Sequence, residues 1–240
     1  MGRISIALDK INVCLDFTSE HNLEQGLPYT FCLKTVSCLY RCAGRLDDAL
    51  IIIQQSISLD REDGQTPSFW ILSDLLADAG QETEALAAAH EAVLETEKWR
   101  NSFFTLDRAF HAQAQYSLAL RLFANGDFSH AQELLAQVRS FYQHNSKARN
   151  LWFVNLAITL WAIGHLRCAS GQHEKGIEAR TELDGLRKHL RLVFPSLANL
   201  VEVGLNRERN FAAWKNLLKK YSLLCGHQDK DEEMVQDVID

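Results

Sequence analysis

The sequence predicts an all-α fold, a solenoid of antiparallel helix pairs, and three observations carry that prediction. First, a glycine followed five residues later by a small residue recurs along the 240-residue chain: Gly2–Ala7, Gly44–Ala49, Gly80–Ala85, Gly126–Ala131 and Gly171–Gly176. A degraded copy places Arg209 and Trp214 at the same two positions, and successive copies lie 42, 36, 46, 45 and 38 residues apart. A drifting period of that length accommodates two helices and their turns. Second, 12 glycines and three prolines are too few breakers for the many tight turns of an all-β fold. Third, apolar and small residues recur at helical spacing on either side of the glycine: Leu33, Val36, Ser37 and Tyr40 before it, Ala49, Ile53, Ser56 and Ile57 after it.

Taken in order, residues 1–226 divide into a partial unit (2–22), units over about 28–62, 67–100, 106–145 and 150–190, and a degenerate unit over 195–225. Pro28, Pro67 and Pro195 each stand where a first helix begins, a position at which a missing N–H costs nothing. Each inter-helix glycine suits the left-handed conformation of a helix C-terminus, and the small residue five later lets the two helices approach closely. The run Leu50-Ile51-Ile52-Ile53 is the one place where local preference favours strand, because β-branched residues lose side-chain freedom in a helix. The corresponding stretches "ALAAAHEAVL" and "AQELLAQVRSF" form helices readily, and a few tenths of a kcal/mol per residue do not outweigh that repeat context. The run is therefore predicted to be helix.

The partial unit is unusual. Its segment 4–17 carries Ile4, Ile6, Ala7, Leu8, Ile11, Val13, Cys14, Leu15 and Phe17 and is apolar nearly all round. Terminal units of repeat arrays normally present a polar outer face. The expectation is a chain that is the C-terminal part of a longer array, or one that self-associates through this helix; the alternative is that residues 18–30 fold back over it. At the other end, residues 227–240 form an acidic tail, expected to be disordered: "DKDEEMVQDVID" has six acids and one lysine and supplies most of the net charge of −6.

The body is consequently close to neutral, which argues against a nucleic-acid partner. No apolar segment reaches the ~18–20 residues of a membrane span, and Asp9 and Lys10 interrupt any signal peptide. Six scattered cysteines fit a reducing cytoplasm better than a disulfide framework. Nothing in the spacing of the nine histidines and the cysteines suits a metal site, no phosphate-binding loop or nucleophile elbow occurs, and neither enzymatic activity nor a cofactor is expected.

The unit resembles that of the tetratricopeptide repeat family. Its helix A carries a bulky, a small and an aromatic residue before the glycine. Here these are Leu33, Ser37, Tyr40, Gly44 and Ala49; Phe69, Ser73, Leu76, Gly80 and Ala85; and Gln115, Ala119, Leu122, Gly126 and Ala131, where the glutamine departs from the pattern. The fourth unit keeps Leu160, Gly164, Gly171 and Gly176, with Arg167 in place of an aromatic. The length of the units is similar to the long-repeat branch of the family, including kinesin light chains and the C-terminal arrays of NTPase-type immune receptors. The resemblance implies a right-handed superhelix whose first helices line a concave groove.

Carried across residue by residue, the family's ligand-facing positions become Lys34, Trp70, Tyr116, Trp161 and Asn199, then Asp74 and His165, then Arg41, Phe123 and Asn206. Trp70, Tyr116 and Trp161 would form a row of aromatics able to anchor a partner helix or peptide; the alternative is that they are core residues between helices. The function implied is a protein–protein interaction scaffold that binds a peptide or helix in the groove without catalysis. A C-terminal regulatory or sensor segment of a larger signalling protein is the alternative, and a helical-repeat enzyme or small-molecule-binding regulator a more distant one. The acidic tail could itself occupy the groove beside Arg207 and Arg209.

Overall fold

The structure, a computed structural model, describes residues 2–20, 27–62, 68–145 and 152–225. Among the described residues it is about 90% helical, without strands, and has eleven α-helices. They are α1 (Gly2–Glu20), α2 (Leu27–Cys42), α3 (Leu46–Glu62), α4 (Phe69–Asp78), α5 (Glu82–Thr96), α6 (Thr105–Ala124), α7 (Phe128–Asn145), α8 (Trp152–Ala169), α9 (His173–Val193), α10 (Pro195–Asn210) and α11 (Ala212–Cys225). Each helix from α1 to α10 packs on its successor, as neighbours in a repeat-like array. None of the described helices is long and apolar enough to cross a membrane.

The glycines act as the sequence suggests. Gly44, Gly80, Gly126 and Gly171 take φ of 75, 77, 87 and 80°, a region closed to most L-residues. Each closes the same motif, in which two backbone N–H groups satisfy carbonyls that the ending helix leaves unpaired. After α2, the Arg45 N–H donates to Tyr40 O at 2.9 Å and the Gly44 N–H to Arg41 O at 3.1 Å; the equivalent pairs after α8 are Gln172 to Arg167 at 2.8 Å and Gly171 to Cys168 at 3.1 Å. In the first of these turns the Arg45 guanidinium also lies 4.3 Å from the Tyr40 ring, tying down the two ends of the motif.

A second feature repeats at a spacing of twelve residues, where the two helices of each pair cross. Ser37 Oγ donates to Ala49 O at 3.0 Å and Ser73 Oγ to Ala85 O at 2.8 Å. In the next pair Ala119 and Ala131 hold these positions, both fully buried. In the α8–α9 pair both are glycine, and a Cβ on Gly176 would lie 2.9 Å from Gly164 O. Small side chains at the crossing allow close approach, and in the last pair the backbones come close enough that only glycine fits.

The isoleucine run lies within α3, and its exposure shows why it is helical. Ile51 and Ile53 would share a strand face, yet they are 64% and 0% exposed. Ile53 joins Ala49 and Ile57 in the core, where full burial of such a side chain contributes roughly 1.5–3 kcal/mol relative to exposure. Helix α8 is buried all round over residues 156–164, as expected of a helix apolar on every face; α7, α9, α10 and α11 all pack on it. By contrast, α9 shows the core a single stripe of Gly176, Ala179, Leu183 and Leu190.

The first helix, α1, packs on α2 and exposes Ile6 and Val13 beside Asp9, Lys10, Asn12 and Asp16. One expectation changes: the chain departs from simple stacking after α10. Helix α10 packs on α8 and α9, but α11 reaches across to α4 and α8. No left-handed glycine precedes α11; Phe211, at φ −67° and ψ 139°, makes the turn in one extended residue. Pro195 opens α10 as expected, whereas Pro67 and the acidic tail 227–240 lie outside the described residues.

Candidate functional site

The segment "FAAWKNLLKK" sorts its side chains by helical spacing. Ala213, Trp214 and Leu217 are buried, while Lys215, Asn216, Lys219 and Lys220 are exposed. The buried stripe meets the helices that precede the glycines. Ala213 packs with Leu76 and Ala77 of α4 and with Ala85 and Ala88 of α5. Trp214 lies 4.5 Å from Trp161 of α8, ring centroid to ring centroid. At the far end of the visible stripe, Lys220 Nζ donates to Ala124 O of α6 at 2.6 Å.

The N-terminus of α11 sits on a charged cluster. Arg41 donates through Nε to Asp78 Oδ2 at 2.6 Å and through Nη1 to Asp74 Oδ2 at 3.3 Å, and its guanidinium carbon lies 3.6 Å from the Phe211 ring centroid. The second oxygen of Asp78 accepts the Ala213 N–H at 2.8 Å. That is the bond an N-cap side chain normally makes within its own helix, supplied here by a residue 135 positions away. Asp74 uses its second oxygen to accept Ser117 Oγ at 2.9 Å. One network thus ties α2, α4, α6 and α11 together. Burial opposes the charge of Arg41, and Asp74 and Asp78 more than offset it, leaving the guanidinium more firmly protonated than usual. Burial raises the Glu208 carboxyl above its ordinary pKa, with Arg41 and Arg207 partly opposing that shift. The Tyr116 phenol is likewise pushed up by burial, despite the nearby Trp214 indole.

Of the ten positions read from the sequence, Arg41, Asp74, Tyr116 and Trp161 surround α11. They do not line an open groove: Tyr116 and Trp161 are 5% and 3% exposed. His165 is one turn from Trp161, its ring 4.9 Å away, and Arg180 Nη2 lies 3.4 Å from its Nδ1. Burial, with Arg180 and then Arg209 adding to it, lowers the imidazole to about 3, so it is neutral near pH 7. The others lie apart. Lys34 pairs with buried Asp60 at 2.8 Å, and Trp70 is half-buried and stacked on Phe110 at 5.6 Å. Phe123 is fully buried against Phe128, and Asn199 and Asn206 are exposed on α10. The sequence reading missed Asp78 and Phe211. Asp78 ends its helix at a position with no repeated residue type, and only the Phe-Ala-Ala-Trp amphipathicity hinted at the importance of Phe211.

Another cluster looks reactive by composition. His111 Nδ1 lies 3.1 Å from Thr96 Oγ1, and His111 Nε2 lies 3.6 Å from Glu97. The Thr96 hydroxyl, however, donates to Ala92 O at 2.7 Å and is fully buried. The imidazole therefore donates to threonine rather than activating it, and the cluster fastens α5 to α6. Among the described residues no group of three His, Cys, Asp or Glu side chains could hold a metal ion. Comparisons with protein-family models, curated proteins and solved structures find no match to this chain.

Proposed function

We propose that the chain is a tetratricopeptide-type right-handed α-solenoid acting as a protein–protein interaction scaffold in the cytoplasm, one that binds a partner peptide or helix on the face formed by its first helices, without bond chemistry. The observation that supports this most is that this face already holds a helix. Residues of α2, α4, α6 and α8 together seat α11 through an apolar stripe and a charged contact with its N-terminus. A surface with both elements uses the helix-in-groove mode of recognition. Cys38 and Cys42, both exposed and without a disulfide, fit a reducing compartment.

Site-directed photo-crosslinking tests this reading. A photoreactive amino acid replaces Trp70 on a first helix, or Ile51 or Leu94, which are 64% and 71% exposed on second helices. Polypeptide adducts are expected from position 70 and not from 51 or 94. Adducts from the second-helix positions alone would overturn the reading.

A further inference from the structure

Helix α11 has features of a ligand as well as of a structural element. Helix α10 is anchored independently, by buried Leu197, Ala198, Val201 and Leu205 and by Arg187, which grips both oxygens of Glu202 at 2.7 and 2.8 Å. Only Phe211 separates the two helices, so α11 can swing about one residue while α10 stays in place. Between residues 212 and 220, α11 buries Ala213, Trp214 and Leu217, while Lys215, Lys219 and Lys220 lie on its exposed side, Lys220 reaching Ala124 O of α6.

The seat itself is not specific to this sequence. Asp78 accepts a backbone N–H, which the first turn of any helix supplies. Two aspartates face one arginine, leaving a net negative charge, and the positive end of a helix complements that charge. The Arg41 guanidinium needs only an aromatic ring to cover it. The Ala-lined contact around Ala213 requires a small residue next, and Trp161 a large aromatic after that.

We infer that α11 is an internal occupant of the recognition face, and that the external partner is a helix of the same chemistry: an aromatic residue at its start, small residues in its first turn, a large aromatic following, and basic residues on its outer side. Partner and α11 exclude one another, because Asp78 can cap one helix at a time. This inference rests on the groove reading above and adds a gate and a ligand class to it. The apparent dissociation constant for such a helix is the intrinsic value divided by the fraction of chains with α11 released.

The test uses the full chain and a fluorescein-labelled synthetic peptide of residues 207–225, followed by anisotropy. The double variant Phe211→Ala/Trp214→Ala releases α11 without altering the seat. It should bind the peptide about tenfold or more tightly than the wild type does, and adding Asp78→Ala, which removes the accepting oxygen, should cancel the gain. Equal binding by wild type and double variant overturns the gate. Binding by neither, while crosslinks from position 70 persist, overturns the inference and leaves the scaffold reading standing. Hydrogen exchange on the unmodified chain needs no variant: α11 amides should exchange faster than those of α6 and α8. If they exchange only together with those helices, α11 is a fixed core element and the inference fails.

Discussion

Restoring the repeat pattern at position 176 should weaken the protein. Four other copies have alanine (Ala7, Ala49, Ala85 and Ala131) where α9 has Gly176, and alanine is favoured over glycine within a helix by about 1 kcal/mol. Sequence alone therefore predicts that Gly176→Ala stabilises. In the structure the new Cβ would overlap Cys168 Sγ and lie 2.9 Å from Gly164 O and 3.2 Å from Cys168 N. Two of these three atoms are backbone of α8, so relief requires the helices to separate where they are packed most closely. Overpacking of this kind costs roughly 1–3 kcal/mol, and the rigid neighbours place it at the upper end. Set against the propensity gain, the net loss is about 1–2 kcal/mol, or roughly 2–8 °C in Tm at ~2–4 °C per kcal/mol. Gly185→Ala is the control, since nothing lies within 4 Å of its Cβ in the same helix; it should stabilise by about 0.5–1 kcal/mol. Gly164→Ala should fall between them, because its nearest neighbour is the flexible Arg180 side chain at 2.9 Å. Urea unfolding followed by circular dichroism at 222 nm ranks the three, provided the m-value holds. In a Cys168→Ala background the Gly176→Ala penalty should shrink but persist, because the backbone atoms remain. A Gly176→Ala chain as stable as the wild type, with m unchanged, would refute the close-approach argument.

Two further outcomes follow from the charged groups. Arg41→Met should cost about 3 kcal/mol, because it strands Asp74 and Asp78 beside each other in a largely buried site; a loss under about 1 kcal/mol in urea unfolding would show that water reaches the cluster. His165 supplies a pH dependence whose sign is fixed. Its pKa is about 3 in the folded chain against 6.5 ordinarily, so below 6.5 the unfolded state binds the proton first. Its contribution is intact above pH 6.5 and is lost as the pH falls toward 3, with a slope approaching about 1.4 kcal/mol per pH unit. Comparing wild type with His165→Gln isolates this effect from the carboxylates. The advantage of the wild type should shrink by that slope between pH 6 and 4, and parallel curves would refute the assignment.

The periodic features were legible in the sequence. The glycines recur because a helix ending in a sharp reversal needs a left-handed residue, and Gly44, Gly80, Gly126 and Gly171 adopt it. Ile53 is buried and Ile51 exposed because helical geometry separates neighbours by 100°. These are local rules, and local sequence carries them. Tertiary structure alone decided what occupies the face of the first helices. The resemblance to the repeat family implied that Arg41, Asp74, Tyr116 and Trp161 lie on that face, yet what covers them is α11. Its approach depends on a single extended residue at Phe211 and on a carboxylate 135 positions earlier in the chain. Neither leaves a periodic trace, because a cap supplied from a distant helix needs only an aspartate in the right place and a backbone N–H, and every residue but proline carries one. The sequence by itself determined a row of helix pairs; long-range packing decided that α11 turns back onto the helices before it.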